Sequence, residues 1–382
     1  VVHQIEQAQA LLDSYTADLL VELPANLPVF DVHTHLGTDL DGTVGDLDEL
    51  LAIQESVRIS RSFVFCLDEP DRHPAFTAAN DRTLAFAARA QGKLIPFVRL
   101  DLNETPIEEA TRCLDAGARG IKLHPRAQGF LPDDPRLHPV FELAADRHVP
   151  ILIHGGRGLP PIAEGLAKLV DRYEPTLIIA HAGIVDLAAM AHFFGGRSGV
   201  FFDTSVWSPI DLLDLYRLVS PEQVLYASDY PYGRQPTSLL MTVRTARASG
   251  FEEPHLRAVL GESARRIADG EAPLELSRPR GSDHVEHPLT FARIHQYLSM
   301  AATLLWTRQS DSVGLLGLAL NACDERVNGR REETERIREL LLATRDLWDL
   351  STAADDEQFR SRMSRAAFRM LHLANVIAVT GE

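Results

Sequence analysis

The feature that most constrains this chain is an alternation of two patterns. Eight short apolar runs, Val29 to His33, Ser62 to Leu67, Leu94 to Arg99, Arg119 to Leu123, Val149 to His154, Thr176 to His181, Gly199 to Asp203 and Val224 to Asp229, are separated by amphipathic segments such as Ala79 to Ala90 and Ile162 to Tyr173. Strands that alternate with helices must lie parallel, because a parallel neighbour is reached only through a crossover connection. Eight such units predict a closed (β/α)8 TIM barrel, α/β in class, with its active site at the C-terminal strand ends. An open doubly wound sheet is the alternative, but no glycine-rich phosphate loop follows the first run.

The flanks read differently. Ile5, Ala8, Leu11, Leu12, Tyr15, Leu19 and Leu20 recur at spacings of three and four, which predicts an N-terminal helix within residues 1–26. The barrel is expected over 27–270. Residues 271–287, rich in proline and charge, read as a linker, and 288–382 as a C-terminal all-helical domain. There Ile294, Tyr297, Leu298, Ala301, Leu304 and Leu305 form one apolar stripe, and Phe359, Met363, Ala366, Met370, Ala374 and Ile377 another, with helices expected at Val313 to Val327 and Glu332 to Leu350 between them. Such stripes need a partner surface, on the barrel or on a second subunit, so a homo-oligomer is allowed. No catalytic ligand is expected from this domain.

Composition narrows the partners. A net charge of −16 argues against nucleic acid or an anionic membrane as the main partner, and no apolar stretch is long enough to span a bilayer. Three scattered cysteines, Cys66, Cys113 and Cys323, make no disulfide framework, and with no signal-like N-terminus the expectation is cytoplasmic. Of 38 basic residues only Lys93, Lys122 and Lys168 are lysines. Where an arginine-biased chain keeps a lysine, the amine itself has a use.

The chemistry gathers at the strand ends. His33 and His35 close the first run and, two residues apart on a strand, share a face. Lys122 and His124 close the fourth, His154 the fifth, His181 the sixth and Asp229 the eighth. Buried imidazoles and a carboxylate without partners are costly, so their convergence on one barrel mouth calls for a cation. Each has a bland reading as well: a histidine satisfied in the core, or Asp229 as a turn residue before Pro231.

With His33-x-His35, His154, His181 and Asp229 in this order, residues 27 to about 268 resemble the amidohydrolase superfamily, in particular its amidohydrolase-2 branch. That resemblance implies one or two divalent metals, commonly zinc, with His33, His35, His154 and Asp229 as ligands to the first. His181 would then bind a second metal or act on substrate and water as a catalytic residue beside Asp229. It implies a metal-dependent hydrolase of a small molecule, at an amide, lactone or ester bond, with Asp229 as general base. The alternatives are a metal-dependent non-oxidative decarboxylase and, more remotely, an inactive barrel serving as a scaffold for an interacting helical domain.

Lys122 has two readings: a carbamate bridging two metals, or an ammonium paired with Asp229 or a substrate carboxylate. Arg99, Arg126 and Arg157, near strand ends, are candidates to bind an anionic substrate, with His124 and Trp207 as pocket walls; ordinary surface and packing roles compete for each. Asp68, Glu69, Asp71, Arg72 and His73 form a loop where selectivity could reside. Cys66 is expected in the core. His284 and His287, in the linker, are expected to be solvated.

Overall fold

The computed structural model describes residues 2–281, 288–307, 309, 312–325 and 329–382. Its centre is a ring of parallel strands: β1 (Val29–Thr38), β2 (Ile59–Cys66), β3 (Leu94–Pro96, resumed as Val98–Arg99), β4 (Ile121–Leu123), β5 (Ile151–Ile153), β6 (Leu177–Ile179), β7 (Val200–Asp203) and β8 (Val224–Leu225). Two seams close it. At β3 the chain leaves β2 and joins β4, with Phe97 N–H donating to Val64 O at 2.8 Å and Val98 N–H to Gly120 O at 2.9 Å. Between β8 and β1, Val32 N–H donates to Tyr226 O at 3.0 Å, Asp229 N–H to His33 O at 2.9 Å and His35 N–H to Tyr230 O at 2.7 Å. The protein is a TIM barrel.

Strand alternation sorts the core. Ile121, Leu123, Ile151, Ile153, Leu177 and Ile179 pack outward with the helices, whereas Leu152, Ile178 and Phe201 fill the barrel with Phe63, Phe65 and Phe97. Lys122 lies between two outward residues and so points inward, its Nζ 4.6 Å from the centre of the Phe65 ring. Gly120, two residues earlier, faces Phe97 so closely that an added Cβ would lie 2.5 Å from ring carbons.

The crossover helices follow the expected periodicity: α2 (Leu47–Ser56), α3 (Thr77–Arg89), α4 (Pro106–Asp115), α5 (Leu137–Asp146), α6 (Ala163–Tyr173), α7 (Leu187–Phe194), α8 (Pro209–Leu218) and α9 (Gln235–Ala248). They follow α1 (Val2–Glu22), and the C-terminal helices are α10 (Leu289–Trp306), α11 (Ser312–Cys323), α12 (Arg331–Ala353) and α13 (Glu357–Thr380). None is long and apolar enough to cross a membrane among the described residues. The stripe Met363, Ala366, Met370, Ala374 and Ile377 is buried, with α12 against it. Helix α1 lies against both α9 and α12, where Glu22 accepts from Arg244 at 2.8 Å and Asp18 faces Arg336 at 3.6 Å. It therefore ties the C-terminal helices to the barrel.

The structure differs from the sequence pattern mainly at strand ends. Strand β6 stops at Ile179 and β8 at Leu225, earlier than the apolar runs imply, because the residues beyond turn away. His181 and Asp229 have φ of 56° and 57°. In β1 a register shift between Asp31 and Thr34 lets two consecutive residues, Val32 and His33, face the interior. Helix α11 ends at Cys323, short of Val327, and Val327, His284 and His287 lie outside the described residues.

Gly120→Ala is expected to destabilise the barrel by about 1–3 kcal/mol, since the new methyl must displace Phe97. In the double variant with Phe97→Leu the two losses should fall well short of additive, which chemical denaturation of all three proteins checks.

A candidate metal centre at the barrel mouth

Hydrogen-bond roles at the mouth can be assigned from partners that only accept. His33 Nδ1 lies 2.7 Å from Asp203 Oδ2 and His35 Nδ1 lies 3.3 Å from the carbonyl of Cys66, so in each ring Nδ1 carries the proton. Each Nε2 then presents a lone pair. These two atoms are 3.2 Å apart, and Asp229 Oδ1 lies 3.2 Å from the first and 3.3 Å from the second.

Burial holds both imidazoles neutral, lowering His33 well below the usual histidine range and His35 less far. Burial alone would raise Asp229, yet its carboxyl lies at about 2, because positive charge on His33, His35 or His181 would favour its anion, so a proton in this group would sit on an imidazole before it sat on the carboxylate. Three acceptors thus converge with no proton of their own to share. The triangle suits a cation: in a tetrahedral zinc site with bonds of ~2.0–2.1 Å, ligand atoms stand about 3.3 Å apart. His33, His35 and Asp229 are accordingly one of the groups able to hold a metal ion.

A second pair adjoins the first. His181 Nδ1 lies 2.8 Å from Ser205 O and donates to it, so His181 Nε2 must accept from His154 Nδ1 at 3.0 Å. That leaves His154 Nε2 as a buried lone pair with no partner. The His181 and His33 rings are 5.1 Å apart, and His124 stacks on His154 at 4.0 Å. Gly156 permits this crowding: an added Cβ would come within 3.0 Å of both His154 and His181. Lys122 Nζ sits 3.4 Å from His33 Nε2, and burial lowers its amine to about 7 against the pull of Asp229 and Asp203.

Asp203 and Ser205 were not singled out from the sequence, yet they position both pairs. Asp203 Oδ1 accepts from His181 N–H at 2.7 Å and Ser205 N–H at 3.0 Å while Oδ2 holds His33. The signal was available, since Asp203 closes the seventh apolar run as Asp229 closes the eighth. Asp31 is also unforeseen: its buried carboxylate accepts from Ser228 N–H, His33 N–H and Gln235 Nε2, which fixes the loop carrying Asp229.

The other sequence candidates scatter. Arg99 is buried, with Nη1 donating to Cys66 O at 3.4 Å, Nη2 facing Asp68 at 3.7 Å, and Nε and Nη2 making no hydrogen bond. Arg126 is exposed on the short turn after β4, and Arg157 is exposed and faces Asp211 at 3.4 Å. Trp207, by contrast, meets Phe368 of α13 at 5.4 Å and lines the cavity beside Asp229, as the pocket wall expected from the sequence. Within the loop after β2, Arg82 bridges Glu69 and Asp71, Arg72 faces Asp68 at 3.4 Å, and His73 faces Glu104 at 3.0 Å. Cys66 is buried, as expected.

A cavity of about 340 Å³ opens beside Asp229 and Ser205. One wall comes from the loop after β8, including Tyr232 and Arg234. Another comes from α13, with Ser361, Arg365, Phe368, Arg369 and His372. The C-terminal helices therefore complete the space above the barrel mouth.

The barrel and this histidine–aspartate cluster define an enzyme architecture of the TIM-barrel class with a site able to hold a metal ion. The family model described as amidohydrolase matches residues 31–267, and the chain belongs to that family, whose members are enzymes that depend on a metal. Solved structures agree on the fold. An amidohydrolase from Staphylococcus aureus superposes with a TM-score of 0.51 at 16% identity, covering 63% of this chain and 99% of that one. A 2,6-dihydroxybenzoate decarboxylase in complex with 2,6-dihydroxybenzoate gives 0.51 at 15%, covering 64% and 98%, and the enzyme from Rhizobium gives 0.50 at 16%, covering 63% and 98%. No curated protein matches the sequence. The α10 to α13 region lies beyond the family match.

Asp203→Asn should weaken divalent-metal affinity by about 10–100-fold, because the ring of His33 loses the carboxylate that fixes its tautomer. Metal titration against a chromogenic chelator measures this, with the fold followed by circular dichroism.

Proposed function

We propose that this protein is a metal-dependent hydrolase of a small molecule, acting on an amide, lactone or ester bond, with zinc as its metal. The observation that carries the reading is the triangle of His33 Nε2, His35 Nε2 and Asp229 Oδ1 at 3.2, 3.2 and 3.3 Å beside a cavity fit for a small ligand. His33, His35 and Asp229 would hold the ion, with the unpartnered Nε2 of His154 as a further donor. A divalent cation there supplies Lewis acidity towards a carbonyl and lowers the pKa of water towards ~7.

The chain's own groups do the rest. Asp229, ionised and at the cavity edge, takes the proton of the attacking water and delivers it to the leaving group. Its positive φ is a strained conformation costing about 1–3 kcal/mol, held by the Ser228 N–H bond to Asp31 and the Asp229 N–H bond to His33 O. His181, locked by Ser205 and Asp203, orients His154 through their shared hydrogen bond. Burial of His33, His35 and Asp229 excludes bulk water and strengthens each interaction.

A second reading, non-oxidative decarboxylation, is favoured by one observation. Arg99 presents two nitrogens without hydrogen bonds in the barrel interior, a fork suited to a carboxylate. The likeness of fold to 2,6-dihydroxybenzoate decarboxylase is in keeping with it.

Asp229→Asn should remove turnover, by at least ~100-fold, while substrate affinity changes little; isotope-labelled water then decides the reaction. Label incorporated into product supports hydrolysis, whereas carbon dioxide released without label uptake assigns the decarboxylase. Lys122 has its own test. Two metal ions per chain falling to one or none in Lys122→Arg supports a carbamate bridge, and one ion in both proteins leaves the amine as a hydrogen-bond donor or a partner for substrate.

A further inference from the structure

The cavity beside Asp229 has a basic wall for which the proposed hydrolytic chemistry has no use. Arg234 comes from the loop after β8; Arg365 and Arg369, four residues apart, project from one face of α13. All three line the cavity that Asp229 and Ser205 also line.

Their acidic surroundings satisfy only one of them. Glu49 accepts from Arg234 Nη1 at 2.7 Å and from Tyr230 Oη at 2.8 Å. Asp41, also in the wall, is engaged in its own turn, accepting from Thr43 N–H at 2.8 Å. Glu357, two to three turns earlier on α13, accepts from Arg360 at 3.0 Å. Among the described residues no carboxylate lies within ion-pairing distance of Arg365 or Arg369, and the Nε atoms of Arg369 and Arg234 are buried without hydrogen bonds.

Burial, then the charge of Arg234, lowers Arg369 to about 10, and Arg365 is lowered for the same two reasons. Placing three guanidinium groups together with Glu49 paired to one of them and Asp41 acting on Arg365 only at a distance is unfavourable for folding. Both arginines of α13 are partly buried, and a cation drawn out of water and left unpaired is unfavourable unless an anion joins it. Arginine also offers what an anion needs: planar, paired N–H donors matched to the oxygens of carboxylate or phosphate.

We propose that Arg234, Arg365 and Arg369 form an anion-binding subsite in the wall of the reaction cavity, and that the substrate carries a carboxylate or phosphate group that docks there, away from the bond that reacts. This rests on the reading of the Asp229 end as the reacting centre. Two of the three arginines lie on α13, outside the residues that match the family, so substrate selection is assigned in part to the C-terminal helices.

Calorimetric titration of the full-length protein with succinate and with inorganic phosphate, and with succinamide as the neutral control, tests this at low ionic strength. At least one anion should bind and succinamide should not. Arg365→Gln and Arg369→Gln should each weaken that anion by at least about tenfold, the scale of one lost charge-assisted contact. Metal content should stay unchanged, and Arg331→Gln, on the exposed start of α12, should bind as the wild type does. Binding of succinate alone assigns a carboxylate, and of phosphate alone a phosphate.

The melting temperature without ligand provides the second readout. Relief of an unpaired cation should leave Arg369→Gln as stable as the wild type or more so, whereas a structural arginine would make it less stable. Two results overturn the proposal: no anion binding by the wild type, or equal binding by wild type and both variants, which would place the anion at the metal centre or elsewhere. Because Asp229→Asn should keep the anion affinity, loss of the hydrolytic reading alone leaves this outcome unaffected.

Discussion

Three lone pairs that face one another in a buried site repel unless a positive charge stands between them, and the architecture of the barrel mouth follows from that constraint. Asp203 and the carbonyl of Cys66 take the protons of His33 and His35 on the far side of each ring, so that both Nε2 atoms turn their lone pairs towards Asp229. Ser205 does the same for His181, which in turn holds His154. His33, His35 and His181 each face a partner that can only accept, and His154 is oriented by the lone pair that His181 then presents. The arrangement is strained in the absence of a cation and relaxed in its presence, which is what preorganisation of a metal site means physically.

The cost of that preorganisation is spread through the fold. His181 and Asp229 adopt left-handed backbone conformations, uncommon outside glycine though more accessible to histidine and aspartate than to most residues, and both are clamped by hydrogen bonds to neighbouring strands. The register shift in β1 turns His33 inward after Val32 already faces the interior. The departures at the C-terminal face leave the alternation of Leu152, Ile178 and Phe201 below it undisturbed. The barrel's lower layers supply rigidity, and its mouth uses it.

The C-terminal helices change the picture of where selection happens. Their apolar stripe is ordinary packing between α12 and α13, whereas the opposite, polar stripe of α13 would be read from periodicity as a solvated face. Instead it forms a cavity wall, because α1 and α9 hold the helices against the barrel at the height of Asp229. A TIM barrel commonly varies its specificity through the loops at its C-terminal face. Here a helix from outside the barrel serves the same purpose.

The barrel and most of its mouth are written in the pattern of residues along the chain. Eight apolar runs alternating with amphipathic segments leave parallel crossover topology as the economical solution, and a histidine, lysine or aspartate at the end of a run must lie at the mouth whatever the details. His33, His35, Lys122, His154, His181 and Asp229 were legible for that reason. How they group is not written there, since grouping depends on turns after the strands and on neighbours distant in sequence. Asp203 became the shared partner of His33 and His181 only once β7 lay between β6 and β8, and Arg365 and Arg369 joined Asp229 only once α13 was docked more than a hundred residues further along the chain. Periodicity reports which face of an element is polar. Whether that face meets water or a substrate is set by what the rest of the chain packs beside it.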